Sequence, residues 1–276
     1  MERRSLLALG SLTLLTACLP KGSSAKDNKD KPTIALFGAT ARSGREIIKQ
    51  AIARGHQVKG FARTPSKLGF VHENLQMFRG DIKDPSTIAP VLSGNEVVLS
   101  MIGYGAPADP MAEIGPVDIY TIMGTNLIAA MRAKGNQRII IASSTGVEQR
   151  VDIMSPKPSL KNIADGWKWN ARHLYNDMYE MEKMVEKSGL EYVILRPGFM
   201  VEEPARRDIK YNTTGDTPSA RIITYEDFAS YILDNLDTAE HLNMAVGLYS
   251  DTVMNPEAEI ERYLAEKESL KAASSP

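Results

Sequence analysis

The chain has 276 residues, with 33 Lys and Arg against 34 Asp and Glu, four His and one Cys. A net charge of −1 gives no broad electrostatic reason to bind nucleic acid or an anionic surface. Apolar residues make up 43% of the sequence, which suffices for a packed core and excludes a disordered chain. One cysteine excludes an intrachain disulfide and a cysteine-based zinc site. His, Asp and Glu nowhere cluster with metal-ligand spacing, so we predict no metal.

The N-terminus has the three-part layout of a secretory signal: a charged start, a short apolar run and the segment Leu15-Thr16-Ala17-Cys18. The apolar run is shorter than the roughly 20 residues that a membrane span requires. The segment Leu15–Cys18 resembles a bacterial lipobox, in which the Cys is lipidated after cleavage of the signal peptide. We predict a signal peptide over 1–17, lipidation of Cys18 and a charged tether over 18–31. Export and lipid anchoring in the cell envelope would follow. The alternative is a first core helix that ends at Pro20.

From residue 32, short apolar runs alternate with amphipathic segments. The run Ile34–Phe37 is apolar throughout, which is typical of a strand buried on both faces of a sheet. Further strands are predicted at 57–62, 75–79, 96–102, 138–142, 192–195 and 243–249, and helices at 43–54, 117–134, 173–188 and 227–236. Such alternation implies parallel pairing through right-handed crossovers. The pattern predicts a doubly wound parallel α/β sheet in a single domain over 32–250, followed by a C-terminal helix and tail over 251–276.

A glycine-containing turn, Gly38-Ala39-Thr40-Ala41-Arg42-Ser43-Gly44, joins the first predicted strand to the first predicted helix. A dinucleotide pyrophosphate requires close approach of the backbone and free N–H groups at a helix N-terminus. The position of this turn between a strand and a helix favours such a site. The alternative is a tight turn without a ligand. The candidate cofactor-binding residues here are Gly38, Thr40, Ala41, Arg42, Ser43 and Gly44.

Several segments of the chain resemble, in the same order, the NmrA-like NAD(P)H-binding family of atypical short-chain dehydrogenases. They are the glycine turn, Gly80–Asp84, Gly124–Ile128, Arg138–Ser144, Ser188–Gly198 and Ile223–Ala229. The resemblance covers roughly residues 32–250 and implies a Rossmann-like fold, an NAD(P)H cofactor and an oxidoreductase function. It places Asp81 beside the adenine. It also extends the cofactor contacts to Ile82, Ile102, Gly103 and Pro197. Ala41 stands where the family usually has glycine.

The residues after the second predicted strand bear on the choice of cofactor. NAD-selective sites normally carry an acidic residue here, which binds the ribose hydroxyls. This chain instead has Arg63-Thr64-Pro65-Ser66-Lys67, without a carboxylate. Arg63 can bind a 2′-phosphate through its planar guanidinium, and Lys67 adds a second positive charge. We therefore predict NADP(H) in preference to NAD(H). The alternative is that both are surface residues in a turn.

Candidate catalytic residues follow the fifth predicted strand. Ser144 and Thr145 would lie at the carboxyl edge of the sheet, where open α/β folds bind ligands. In relatives with acid–base chemistry, a Ser or Thr in this region orients the substrate, and a Tyr whose pKa is lowered by Lys transfers a proton. Tyr179 and Lys183 have the required Tyr-x-x-x-Lys spacing. The candidate set is therefore Ser144, Thr145, Tyr179 and Lys183.

The register of the family's Tyr–Lys pair points to other positions. Counting back from Arg196-Pro197, the pair would fall on Leu174 and Met178, and Tyr175 is displaced from the first of these by one residue. A flavin or quinone could still accept hydride without this pair, because it needs little acid assistance from the protein.

The predicted function is therefore NADPH-dependent reduction of a flavin, a quinone or a small carbonyl compound. One alternative is a non-catalytic NADP(H)-binding sensor or interaction protein. An epimerase-like sugar-nucleotide enzyme is disfavoured, because that branch depends on an in-register Tyr–Lys pair. The expected partners are a small-molecule substrate and a membrane, reached through the lipid anchor, and not nucleic acid. The sequence leaves the oligomeric state open.

Overall fold

A computed structural model of the chain describes residues 31–105, 112–157 and 168–255. Strands and helices alternate through most of this part of the chain. The strands are β1 (Ile34–Phe37), β2 (Val58–Ala62), β3 (Leu75–Arg79), β4 (Val97–Ser100), β5 (Arg138–Ala142), β6 (Glu191–Pro197), β7 (Phe199–Val201), β8 (Lys210–Asn212), β9 (Ile222–Thr224) and β10 (Met244–Tyr249). The helices are α1 (Arg42–Ala53), α2 (Pro85–Ile88), α3 (Ile119–Lys134), α4 (Arg172–Glu186) and α5 (Tyr225–Asp234).

Eight of these strands form one sheet in the order β3-β2-β1-β4-β5-β6-β10-β8. Neighbouring strands are parallel, except that β8 pairs with β10 in the antiparallel direction. The doubly wound α/β fold predicted from the sequence is confirmed, as a single domain. The strand order reverses beside β1, which pairs with β2 on one side and β4 on the other. Open α/β sheets bind ligands at the carboxyl ends of the strands at such a point.

The four residues of β1 have no exposed surface, which accounts for the unbroken apolar run. Ile34 and Leu36 pack into a core layer that includes α1 and α5. Ala35 and Phe37 face the opposite layer, which includes α3 and α4. Because both faces are covered by helices, strand positions that would alternate in a half-exposed sheet are apolar throughout.

Some elements differ from the sequence prediction. A small parallel sheet of β7 and β9 follows β6, and its strands of three residues are too short to show a periodicity. Helix α5 begins two residues earlier than predicted, because the Thr224 hydroxyl accepts a hydrogen bond from the Asp227 N–H and caps the helix. The predicted signal peptide, nearly all of the predicted tether and most of the C-terminal tail lie outside the described residues.

Two further observations concern the described ranges alone. No helix within them combines the length and the apolar character that crossing a membrane requires. The same residues contain no group of three or more His, Cys, Asp or Glu side chains placed to hold a metal ion.

Candidate functional site

A cleft of about 580 Å³ opens at the carboxyl edge of the sheet, beside the reversal of strand order. This volume lies within the usual range for small-molecule sites. Its walls come from the glycine turn, from the turns after β2, β3 and β4, and from the segment before α3. Nine residues that the sequence predicts for the cofactor line it: Gly38, Thr40, Ala41, Arg63, Lys67, Asp81, Ile82, Ile102 and Gly103.

The other four residues predicted for the cofactor lie elsewhere. The Arg42 guanidinium lies 5.1 Å from the ring centre of Tyr225, in a separate cleft. Ser43 is the second residue of α1 and is half-buried. Gly44 packs against the backbone, since a Cβ there would lie 2.2 Å from the Gly38 carbonyl oxygen. Pro197 ends β6, and its carbonyl oxygen accepts a hydrogen bond from the Thr145 hydroxyl at 3.3 Å.

The glycine turn is fixed by a backbone conformation that requires glycine at Gly38. Its φ of +87° is rarely adopted by other residues, and a Cβ would lie 2.7 Å from the carbonyl carbon of Met101. Ala41, by contrast, has φ −67° and ψ 160°, an ordinary extended conformation. The alanine that replaces the family's usual glycine therefore introduces no backbone strain.

The N-terminus of α1 is suited to an anion. Ala41 occupies the N-cap position but has no polar side chain, and the first turn contains no acidic residue. Among the described residues, no side chain caps this terminus. The N–H groups of a first helical turn lack intrahelical acceptors, and the helix dipole makes this end positive. A phosphate is the kind of ligand that such an end binds.

The turn after β2 adds positive charge to the same cleft. Arg63 and Lys67 are both exposed and line its wall. The wall also carries two carboxylates that have partners within the protein. Asp81 accepts a hydrogen bond from the backbone N–H of Lys83 at 2.9 Å, and Asp118 pairs with the Lys83 ammonium at 3.0 Å. The turn after β2 itself has no carboxylate, so the charged groups that it offers to a ligand are Arg63 and Lys67.

These features fit a dinucleotide. The N-cap residue of α1 and the basic turn after β2 line one cleft, whose volume suits a single small molecule.

A separate observation concerns the end of β5. The buried Ser143 hydroxyl has no hydrogen-bond partner within the described residues. A buried polar atom without a partner is costly unless a ligand or water satisfies it.

Beyond the cleft, at the end of β5, the structure joins Ser144 to Tyr175 of α4. The Tyr175 phenol is hydrogen-bonded to Ser144, and burial raises its pKa despite that bond. Its ring lies against Gly146, where a Cβ would come within 2.2 Å of a ring carbon. The phenol therefore stays protonated at neutral pH, so it can donate a hydrogen bond but cannot serve as a base.

Tyr179 and Lys183 lie together on α4, with the Lys183 ammonium 4.8 Å from the centre of the Tyr179 ring. The Arg150 guanidinium lies 3.5 Å from the ring centre of Tyr179, and the Lys183 ammonium pairs with Glu180 at 2.7 Å. Four residues after Tyr175, the position of the lysine in a Tyr-x-x-x-Lys pair is occupied by Tyr179. No ammonium therefore stands at that position to lower the Tyr175 pKa. Sequence reasoning placed the family's tyrosine at Leu174, one residue short of Tyr175.

The far wall of the cleft is held by a network that the sequence does not reveal. The buried Asp177 of α4 accepts hydrogen bonds from the N–H groups of Tyr120 at 2.8 Å and Thr121 at 3.3 Å, and so caps α3. The Tyr120 hydroxyl accepts a hydrogen bond from the Tyr104 N–H at 3.1 Å, and burial raises the pKa of Tyr120 to about 12. This arrangement fixes the Gly103–Tyr104 turn against α3.

The fold and the cleft together define a dinucleotide-binding protein with an open α/β sheet. The profile of the NAD(P)H-binding family matches residues 38–239, and the chain belongs to this family of NmrA-like, atypical short-chain dehydrogenases. Its cofactor is NAD(P)H, and the family is of oxidoreductase type. The family resemblance, the fold and an NAD(P)H cofactor are thereby confirmed, whereas the preference for NADP(H) over NAD(H) stays a prediction.

Among its relatives, photosystem II assembly factor Ycf39 of Trieres chinensis is 23% identical over 225 residues, which cover 76% of this chain and 61% of that protein. Cinnamoyl-CoA reductase 1 of Oryza sativa subsp. japonica is 25% identical over 208 residues, which cover 68% of this chain and 59% of that protein. The chain thus spans about three fifths of the length of these two curated relatives.

The fold also matches a solved short-chain dehydrogenase/reductase from Veillonella parvula, which is in complex with NADP. The TM-score is 0.60 at 16% identity, and the match covers 81% of this chain and 97% of that one. At this identity the likeness concerns the fold.

Proposed function

We propose that this protein is an NADPH-dependent reductase that acts on a flavin, a quinone or a small carbonyl compound. The observation that carries the proposal is the basic turn of Arg63 and Lys67, which lines the same cleft as the uncapped N-terminus of α1. The helix end would hold the diphosphate, and Arg63 would bind the 2′-phosphate through its planar guanidinium. When bound, the nicotinamide supplies a hydride.

The residues near β5 favour acceptors that need little help with protonation. Tyr175 can donate a hydrogen bond to an acceptor oxygen, and Ser144 holds its phenol in place. The raised pKa and the lack of lysine four residues later make Tyr175 a weak proton donor. Flavins and quinones can take their proton from water after hydride transfer, so we place them ahead of carbonyl compounds.

Steady-state NADPH consumption with FMN or a short-chain quinone tests this function. We expect a rate well above that of a blank without protein. Tyr175→Phe should lower kcat by less than about threefold with these acceptors, because they do not depend on the phenol. With a carbonyl acceptor, the same substitution should lower kcat by about tenfold, because it removes the hydrogen bond that this weak proton donor can supply. A tenfold loss with the quinone as well would contradict the preference for acceptors that need no acid.

The second candidate function is an NADP(H)-binding sensor or interaction protein. Two observations favour it: Tyr179 stands where a catalytic lysine would follow Tyr175, and one relative is named as an assembly factor. Tight NADPH binding without any NADPH consumption, across flavin, quinone and carbonyl acceptors, would select this function over the reductase.

We also propose that the protein is exported and anchored by lipid on Cys18. The support is the sequence Leu15-Thr16-Ala17-Cys18 after a short apolar run. Mass spectrometry of the native protein should find Cys18 as the modified N-terminal residue, and Cys18→Ser should release the protein from the membrane fraction. An intact Met1 on the native protein would contradict the proposal.

A further inference from the structure

Arg45, in the first turn of α1, connects two loops that line the cofactor cleft. Its Nε donates a hydrogen bond to the Thr40 carbonyl oxygen at 3.2 Å, and its Nη1 donates to the Leu68 carbonyl oxygen at 2.9 Å. Its Nη2 donates to the carbonyl oxygen of Lys67. One planar side chain therefore joins the glycine turn to the 3-10 turn at Pro65–Leu68.

The position of Arg45 is unfavourable for a cation considered alone, because the N-terminal end of a helix is positive. Three carbonyl oxygens offset this cost, and they come from two loops that are far apart in sequence. Thr40 and Lys67 both line the cleft, so Arg45 links the wall that faces the diphosphate to the wall that carries the basic residues. A single ammonium could not reproduce this forked contact.

The turn that Arg45 holds is anchored in the core at its C-terminal end by Leu68. Leu68 is buried in the core layer beneath α1, whereas Arg63, Thr64, Ser66 and Lys67 are exposed. Gly69 follows at φ +84° and reverses the chain. Without the bonds from Arg45, the carbonyl oxygens of Lys67 and Leu68 would lose their link to the glycine turn. Lys67 would then no longer be held at a fixed distance from the N-terminus of α1. Arg63 is placed differently, since it directly follows β2, whose Phe61 carbonyl oxygen accepts hydrogen bonds from the N–H groups of Gly38 and Ala39.

We propose that Arg45 is a positioning residue that sets the preference for NADPH over NADH. It would do so by holding Lys67 beside Arg63, where the 2′-phosphate lies when the diphosphate is on the α1 terminus. This inference rests on the proposed NADPH-dependent function. NADH lacks the 2′-phosphate, so its binding depends on the helix terminus and much less on the basic turn.

The test compares Arg45→Gln and Arg45→Lys with Arg54→Gln in the full chain. Arg54 lies at the other end of α1, where it pairs with Asp234 at 2.6 Å and donates to the Ser230 hydroxyl at 2.9 Å. It is a matched control, since it also joins α1 to a neighbouring element but does not line the cleft. The dissociation constants of NADPH and NADH are measured by calorimetry, together with the Tm of each variant.

We expect both Arg45 variants to reduce the NADPH-to-NADH affinity ratio by about tenfold, mainly through weaker NADPH binding. Arg54→Gln should lower the Tm and leave the ratio unchanged. Arg45→Lys keeps the charge, so a reduced ratio in this variant identifies the forked contact rather than long-range attraction. If Arg45→Gln does not fold, the affinity ratio of Arg45→Lys alone tests the role of Arg45.

Two results separate this inference from the proposed function. A wild-type protein that binds NADPH no better than NADH would overturn the proposed NADPH preference itself. A wild-type preference for NADPH that is retained in both Arg45 variants would overturn only the role of Arg45. An equal loss of NADPH and NADH affinity would likewise assign Arg45 to general support of the fold.

Discussion

Helices α1 and α5 pack in the same core layer, yet their N-termini are built in opposite ways. Helix α5 is capped by the Thr224 hydroxyl, which accepts from the Asp227 N–H, and it has Glu226 and Asp227 in its first turn. Helix α1 begins at Ala41 without a side-chain cap and without an acid in its first turn.

The difference distinguishes a helix end that serves the fold from one that serves a ligand. At α5 the acidic groups are used internally, since Asp227 also accepts hydrogen bonds from the N–H groups of Arg206 and Arg207. At α1 the N-cap residue Ala41 lines the cleft, the first turn contains no acid, and Arg63 and Lys67 add positive charge to the same cleft. An uncapped terminus costs stability, so its place beside the strand-order reversal points to cofactor binding.

The largest expected effect comes from giving α1 the kind of terminus that α5 has. Ala41→Asp places a capping carboxylate at an N-cap whose backbone conformation already suits it. Because that charge would face the cofactor phosphates, we expect NADPH affinity to fall by about a hundredfold or more, while thermal stability is retained or increased. Calorimetric titration and a thermal melt of the same sample measure the two effects.

Ala41→Gly is the matched control for that substitution. It restores the residue that the family usually has and adds no charge, so NADPH affinity should stay within about threefold of the wild-type value. Unchanged NADPH affinity in Ala41→Asp would show that the α1 terminus does not contact the phosphates.

A smaller effect is expected at the amino edge of the sheet, where the Glu96 carboxylate finds its partners within the protein. Glu96 is buried and pairs with the Lys59 ammonium at 2.5 Å, and it accepts hydrogen bonds from Asn136 and the N–H of Ser93. Burial acts to raise its pKa, but these partners outweigh burial and lower the pKa from 4.5 to about 2.

The stabilisation from Glu96 is therefore fully present above about pH 4.5 and is lost as the pH falls through about 2. We expect Glu96→Gln to reduce the free energy of unfolding by about 2 kcal/mol at neutral pH and to flatten its dependence between these two pH values. NADPH affinity at neutral pH should not change. Urea unfolding at several pH values checks the prediction, and a Gln variant with the wild-type pH dependence would contradict it.

The smallest effect is expected from removing the cap of α5. Thr224→Ala should lower the free energy of unfolding by about 1 kcal/mol, which is typical for the loss of a side-chain cap. Because this terminus does not line the cleft, cofactor affinity should be unaffected. Thermal unfolding with and without NADPH separates the effect on stability from the effect on NADPH affinity. A loss of NADPH affinity in Thr224→Ala would contradict the view that only the N-terminus of α1 serves the cofactor.

The sequence predicts those parts of the molecule whose signals are local. The apolar run of β1 and the Gly38–Gly44 turn each lie within a few residues, and so does the replacement of an acid by Arg63 after β2. Burial on both faces and a required positive φ produce such local patterns.

The features that the sequence did not reveal depend on contacts between distant segments. Tyr175 rather than Tyr179 meets Ser144, because the packing of α4 against the sheet sets the rotation of that helix. Arg45 donates hydrogen bonds to backbone carbonyl oxygens 22 and 23 residues away. Every residue has such an oxygen, so the sequence does not show which residues accept these bonds.

The most direct test of the NADP(H) site is the pair of dissociation constants for NADPH and NADH, measured on the wild-type protein and on Arg63→Glu. We expect the wild-type protein to bind NADPH at least about tenfold more tightly than NADH, because Arg63 pairs with the 2′-phosphate. In Arg63→Glu that preference should disappear. Equal affinities for the two cofactors, both before and after the substitution, would contradict the assignment.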